Sequence, residues 1–244
     1  MKLTVIGFRG GYPGSNEATS TYLLEKDGCK VVLDLGSGGL LKLQNYLNVT
    51  EIDAVVLSHY HADHIADIGV LQHALLTEAQ LGRVTKQTPI YGHNENELEF
   101  NQLTDDYTLG IAYDPTNKIN IGPFEISFLK TVHSVSCYGM RITDGKKTIV
   151  YTADTGYQKE WIDFAENADL LITDTNLYDY QKDLNIGHMT STQAAQIARK
   201  GKVKTLILSH LPQYGNNQDL IDEAKCIFKG NVFLAEEGLI WEEK

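Results

Sequence analysis

The stretch "SHYHADHIADIG", residues 58–69, sets His59, His61, Asp63 and His64 within six consecutive positions. Imidazole nitrogen and carboxylate oxygen are the donors that zinc and related divalent ions prefer. The chain has only eight histidines, and three of them stand in this one hexapeptide. Just upstream, "DAVVLSH" (53–59) is a short Val/Leu-rich run of the kind that makes a strand buried on both faces. The cluster therefore opens where a buried strand stops.

Three further apolar runs stop the same way: "FLKTVHS" at His133, "KTIVYTADT" at Asp154 and "VKTLILSH" at His210. Strand ends form the crevice in which α/β proteins bind ligands. His59, His61, Asp63, His64, His133, Asp154 and His210 together match the donor count of a two-metal site, with one carboxylate able to bridge. Spacing alone does not assign each donor to a metal.

Outward from these ends, the front of the chain reads as strands and hairpins. "KLTVIGF", "STYLLEK" and "KVVLDLG" are short strands, the last two a hairpin pair, and "GGLLKLQNYL" turns helical. "DIGVLQHALLTEAQLG" (67–82) has helical periodicity, and Thr88–Gly92 is another strand. "KINIGPFEISFLKTVHS" alternates around Gly122-Pro123, and "DGKK" separates "CYGMRIT" from "KTIVYTAD", so two more hairpins are expected. "ADLLITDT" and "VKTLILSH" read as buried strands. "TSTQAAQIARKGK" reads as a helix capped by Thr or Ser, "NQDLIDEAKCIF" as a second, and "NVFLAEEGLIWEE" as a closing pair of short strands. Late alternation of strand and helix after early hairpins predicts mixed sheets. No linker or low-complexity segment interrupts the chain, so one α/β domain over residues 1–244 is expected.

Composition narrows the function. A 42% hydrophobic, 22% charged chain is ordinary for a soluble globular protein. Cys29, Cys137 and Cys226 are odd in number and form no C-x-x-C pair, which fits a reducing compartment. No apolar run nears membrane-spanning length, so a cytoplasmic protein is expected. The net charge of −11 and the presence of only four arginines disfavour long nucleic acid, whose affinity rests on phosphate neutralisation. A small molecule or short oligonucleotide is the expected substrate.

The ordered set H-x-H-x-D-H, then a distant His, Asp and His, resembles the metallo-β-lactamase superfamily across nearly the whole chain. The resemblance implies a four-layer αβ/βα sandwich, two mixed β-sheets flanked by helices. It also implies that His59, His61 and His133 hold one metal, that Asp63, His64 and His210 hold the second, and that Asp154 bridges. Zinc is the implied ion, with manganese or iron able to occupy the same donors. Within the superfamily, "GHMTSTQAA" (187–195) resembles the "GH-x-[ST]" segment of ribonuclease Z-like phosphodiesterases. By that resemblance His188 contacts the phosphate and protonates the leaving oxygen, while a hydroxide bridging the metals attacks phosphorus. Asp174, at the end of "DLLITDT", then orients His188, in place of the glutamate usual in that family. Asp63 joins His188 and Asp174 among the catalytic residues.

The chain departs from transfer-RNA-processing ribonuclease Z, because it has no long Gly/Pro-rich arm. "RGGYPGSNEATST" (9–21) stands where a basic loop is expected. The short, armless relatives are the nearer likeness, and a homodimer is expected by analogy with the family. Arg9 and His93 are candidate substrate contacts, Asp34 and Ser58 candidate supports of the metal loop, and His73 a structural or surface residue. Tyr60 points away from the donors on either side if its segment is extended. A lactone or thioester hydrolase of the same fold is the alternative, indifferent to His188. A non-catalytic metal-binding protein is a third reading.

Overall fold

Apolar runs punctuated by Gly, Pro, Asn and Asp build fourteen strands and seven α-helices in the computed structural model, which describes residues 1–184 and 186–242. The strands are β1 (Lys2–Gly7), β2 (Thr21–Lys26), β3 (Cys29–Leu35), β4 (Ala54–Val56), β5 (Thr88–Gly92), β6 (Thr108–Ala112), β7 (Ile119–Ile121), β8 (Phe124–Lys130), β9 (Tyr138–Thr143), β10 (Thr148–Tyr151), β11 (Leu170–Asp174), β12 (Thr205–Ser209), β13 (Asn231–Leu234) and β14 (Ile240–Glu242). The helices are α1 (Gly39–Leu43), α2 (Ala62–Ile65), α3 (Ile68–Gln80), α4 (Glu97–Asn101), α5 (Glu160–Phe164), α6 (Ser191–Lys200) and α7 (Asn217–Ile227). Two units result: Met1–Asp114 with Glu236–Lys244, and Pro115–Ala235.

The first unit holds one mixed sheet, ordered β14-β1-β2-β3-β4-β5-β6. Its pairings are antiparallel from β14 to β3 and parallel from β3 to β6. Asp27 and Gly28, at φ 50° and 83°, make the two-residue turn joining β2 to β3. A hydrophobic cluster gathers Leu23, Val32, Val55 and Ile90 from the strands with Leu40 and Leu43 of α1 and Ile68, Leu71 and Leu75 of α3. The three-and-four spacing on α3 puts its apolar residues on one stripe, and each fully buried aliphatic side chain stabilises the fold by about 1.5–3 kcal/mol.

The second unit repeats the plan in the order β13-β12-β11-β10-β9-β8-β7. Pairings are antiparallel from β7 to β10 and parallel from β10 to β13. Every residue of β11 and β12 is buried, which explains the apolar runs Leu170–Ile172 and Leu206–Leu208 at their centres. Both hairpins expected here form, pairing Ile121 with Phe124 and Thr143 with Thr148. Helix α6 starts with a capping box: Thr190 Oγ1 accepts from Gln193 N at 3.2 Å, and Gln193 Oε1 accepts from Thr190 N at 3.0 Å.

The two short strands expected in segment 231–243 form as β13 and β14, and they join different sheets, β13 alongside β12 and β14 alongside β1. A turn at Glu236–Leu239, with Gly238 at φ 83° and its N–H on the Val5 carbonyl, directs Ile240 onto β1. Glu243, the last residue of that segment, lies outside the described residues. Strand β6 and the short helices α2, α4 and α5 are elements that the sequence pattern does not predict.

Candidate metal centre

The donors of the first unit follow β4. Parallel neighbours β3 and β5 fix that strand, and the chain runs from it through Leu57 and Ser58 to His59. His61 is the N-cap of α2, whose first turn carries Asp63 and His64. Gly36 lies against this turn, where a Cβ would collide with the Asp63 carbonyl.

Asp34, buried on β3, organises the group. Its Oδ1 accepts from Ser58 N at 2.7 Å, and its Oδ2 accepts from Ser58 Oγ at 2.8 Å and lies 2.8 Å from His64 Nδ1. An ionised carboxylate only accepts, so His64 donates through Nδ1 and carries its lone pair on Nε2. Ser58 Oγ, its proton directed at Asp34, lies 3.0 Å from His59 Nδ1 and accepts from it. His59 therefore also carries its lone pair on Nε2. One carboxylate sets both tautomers.

The donor atoms then stand at ligand spacing. Two ligands about 2.0–2.1 Å from one tetrahedral metal lie roughly 3.3 Å apart. His59 Nε2 is 3.1 Å from His61 Nδ1, and His64 Nε2 is 3.5 Å from Asp63 Oδ2. Asp63 Oδ2 also accepts from Gly11 N at 2.7 Å.

In the second unit His133 follows β8, Asp154 follows β10 and His210 follows β12. Asp154 Oδ1 lies 3.3 Å from His210 Nε2, and Oδ2 lies 3.7 Å from His133 Nε2. Each carboxylate oxygen thus has its own histidine, the arrangement a bridging ligand needs. His133 Nδ1 donates to the Gly187 carbonyl at 3.2 Å, leaving the lone pair on Nε2. His210 and Ala153, the residue before Asp154, hold left-handed backbone at φ 52° each, and so does Asp34 at φ 53°. Such conformations are uncommon outside glycine and gather at functional sites. Both donor sets fit divalent metal in chemistry, burial and spacing.

Asp174 and His188 are paired. His188 Nδ1 donates to Asp174 Oδ2 at 2.7 Å, so the shorter aspartate reaches where a glutamate was usual. Thr155 N also donates to Oδ2 at 2.9 Å, and Asp174 Oδ1 lies 3.5 Å from His210 Nδ1. The His188 ring stacks on His210 with centroids 5.2 Å apart and meets His133 edge-on at 5.4 Å. Burial alone would raise the Asp174 carboxyl, but the charges of His188 and His210 hold it below the usual carboxylate range. Burial opposes charge on His188, yet the Asp174 carboxylate beside it lifts the ring above the ordinary histidine value.

The other sequence candidates have contacts of their own. The Arg9 guanidinium is held by both carboxylate oxygens of Glu17, at 2.6 and 3.1 Å. His93 is buried, its ring against Tyr60 and Tyr113. His73 is exposed on α3, and Cys137 is buried with its thiol on the Asp154 carbonyl at 3.5 Å. Neither Tyr113 nor the Gly11 N–H is legible in the sequence, because both act from loops remote in sequence from the cluster. No helix among the described residues is long and apolar enough to cross a membrane.

A protein-family profile described as "Beta-lactamase superfamily domain" matches residues 33–211, which span every donor above. The chain belongs to the β-lactamase superfamily. This superfamily member is 49% identical over 243 residues to the probable metallo-hydrolase YhfI of Bacillus subtilis, covering 99% of this chain and 100% of the relative. The crystal structure of that metallo-β-lactamase fold protein superposes with a TM-score of 0.98 at 48% identity, over 99% of each chain. The ribonuclease Z of Haloarcula marismortui is 25% identical over 303 residues, covering 98% of this chain and 96% of the relative. The chain is a metallo-hydrolase of the β-lactamase fold, with the α/β class and mixed sheets its sequence predicts.

Proposed function

We propose that this chain is a dinuclear metal-dependent phosphodiesterase acting on small nucleotide or short RNA phosphodiesters. The observation that carries the phosphodiester reading is the 2.7 Å contact between His188 Nδ1 and Asp174 Oδ2. A histidine ring pinned in this way presents Nε2 outward as a proton donor, and an alkoxide or ribose oxygen leaves poorly without one. In this reading His59, His61 and His133 hold one metal, Asp63, His64 and His210 hold the other, and Asp154 bridges. Zinc suits the mixed nitrogen and oxygen donors, with manganese or iron as substitutes.

When bound, the metals supply an activated water and neutralise charge on the phosphoryl oxygens. Asp34 holds His59 and His64 in the tautomers that ligation requires. Asp174 keeps His188 oriented and favours its charged form. With the metals held, the Asp63 carboxylate would be placed to take up a proton. The charge of −11, and an Arg9 already held by Glu17, favour a small phosphodiester over long nucleic acid. Kinship to a ribonuclease Z supports phosphorus as the reacting centre. A single working domain, a cytoplasmic setting and a homodimer complete the reading. The cysteines support the setting, since none of the three forms a disulfide.

The test is hydrolysis of bis(p-nitrophenyl) phosphate by zinc- and manganese-loaded protein, wild type beside His188→Ala. Turnover by the wild type and a drop in kcat of about 10²–10⁴-fold in the variant, at unchanged metal content, are expected. No turnover by fully metallated wild type, or turnover indifferent to His188, would transfer the assignment to lactone or thioester hydrolysis.

A further inference from the structure

The ends of β4, β5 and β6 carry a set of contacts that the reaction chemistry does not use. Parallel strands leave carbonyls without ladder partners where they stop, and these ends are tied by two tyrosines. Leu57 N donates to the Tyr91 carbonyl at 2.8 Å, and Tyr113 N donates to the Gly92 carbonyl at 3.0 Å. The buried Tyr113 Oη then crosses to the Leu57 carbonyl at 3.0 Å, two residues before His59. On the other side of His59, Tyr60 Oη donates to the His93 carbonyl. The His93 ring lies between the two tyrosines, its centroid 4.6 Å from Tyr60 and 6.5 Å from Tyr113.

The backbone around His59 is therefore held both before and after the donor: the Tyr113 phenol reaches the Leu57 carbonyl before it, and the Tyr60 phenol after it reaches the His93 carbonyl just beyond β5. Gly92 makes this possible: a Cβ there would stand 2.5 Å from Tyr60 Oη and 3.0 Å from a Leu103 methyl. Tyr60 also separates His59 from His61, whose donor nitrogens must keep their 3.1 Å spacing to serve one metal.

We propose that Tyr60 and Tyr113 are positioning residues, a brace that sets the His59–His61 donor pair in register on the ends of β4 and β5. The proposal rests on the reading of His59 and His61 as metal ligands. Neither tyrosine is assigned to the metal. They act through the backbone that carries it, and Gly92 admits the Tyr60 hydroxyl. His93 belongs to this brace as the filler between the rings.

The test measures zinc affinity by competition with a chromophoric chelator, the visible spectrum of the cobalt-substituted protein, and the unfolding temperature of the metal-free protein. Tyr60→Phe and Tyr113→Phe keep the rings and remove only the hydroxyls. Each is expected to weaken zinc binding about tenfold or more, the usual effect of losing an outer support of a metal ligand. Each should also alter the cobalt bands. Thr108→Val is the control: it removes a buried hydroxyl that donates to the Leu103 carbonyl at 2.9 Å, in the same sheet. It is expected to lower the unfolding temperature while leaving zinc affinity and cobalt spectrum unchanged. In a double-mutant cycle, Gly92→Ala should weaken zinc binding in the wild type and much less beside Tyr60→Phe, because the methyl acts through the missing hydroxyl. Zinc affinity that depends on His59 but is indifferent to both Phe variants overturns the brace. Equal weakening in Thr108→Val overturns it too, since affinity would then merely follow stability. Zinc affinity indifferent to His59→Ala overturns the metal reading itself, and the brace with it.

Discussion

Asp34 accepts from Ser58 N, Ser58 Oγ and His64 Nδ1 while holding its own backbone at φ 53°. An asparagine of the same shape tolerates that backbone, being among the residues enriched in the left-handed region. Its amide carries two donors, however, so one of the three incoming protons would meet another proton. Asp34→Asn is therefore expected to release the tautomers of His59 and His64 and weaken zinc binding by about 10–100-fold, read by chelator competition. Unchanged affinity would remove Asp34 from the metal centre. At this scale His59, His133, Asp154 and His210 are legible as candidate donors because each ends an apolar run, and His61, Asp63 and His64 because they crowd directly behind the first of these. Asp34 was visible for the same reason. What sits opposite each residue was not. Arg9 reads as a phosphate contact from its glycine-rich loop, and its ion pair with Glu17, eight positions on, is not legible there. His93 reads as a pocket residue, and its burial against Tyr60 and Tyr113 is equally hidden in the sequence.

The parallel strands β10, β11 and β12 start from a common tie. Asp169, just before β11, accepts from Thr148 N at 2.9 Å through Oδ2 and from Lys204 Nζ at 2.6 Å through Oδ1, joining the starts of β10 and β12. Burial by itself would raise this carboxyl, but Lys204, the Thr148 N–H and Lys147 bring it below the ordinary aspartate value. A depressed folded-state pKa contributes stability that is complete above the unfolded value of about 3.9 and is lost as pH falls through the folded value. Urea midpoints of wild type and Asp169→Asn are thus expected to differ at neutral pH and to converge towards pH 3. A gap that persists in acid would show that the ion pair is not its source. Elements were legible where period or composition was strong: the wholly buried β11 and β12, the stripe of α3, the turns at Gly122-Pro123 and Asp144–Lys147. Strand β6, "TLGIA", was missed because it is short, half exposed and broken by Gly110. Helices α4 and α5 span five residues each, too few to show a helical period.

The two units carry the same plan, three antiparallel pairings followed by three parallel ones in each seven-stranded sheet. The likeness between "AVVLSH" and "TLILSH" marks β4 and β12, which lie in the parallel part of their sheets but at different places in the order. A metal that binds the folded chain and not the unfolded one stabilises it by mass action. Chelation is then expected to lower the unfolding temperature by on the order of 5 °C at saturating zinc, with recovery on adding zinc back. A melting curve indifferent to chelator would count against metal binding by the folded chain. Strand β14 has a different consequence, one that concerns synthesis. It pairs with β1, yet the ribosome makes all of Pro115–Ala235 in between. While the chain is growing, β1 waits as an unpaired edge beside β2, and exposed edges invite pairing with other chains. The second unit, continuous in sequence, has all its strands before that wait ends. Protection of the nascent first sheet, and not the speed of its own hairpins, is therefore expected to limit the yield of folded protein.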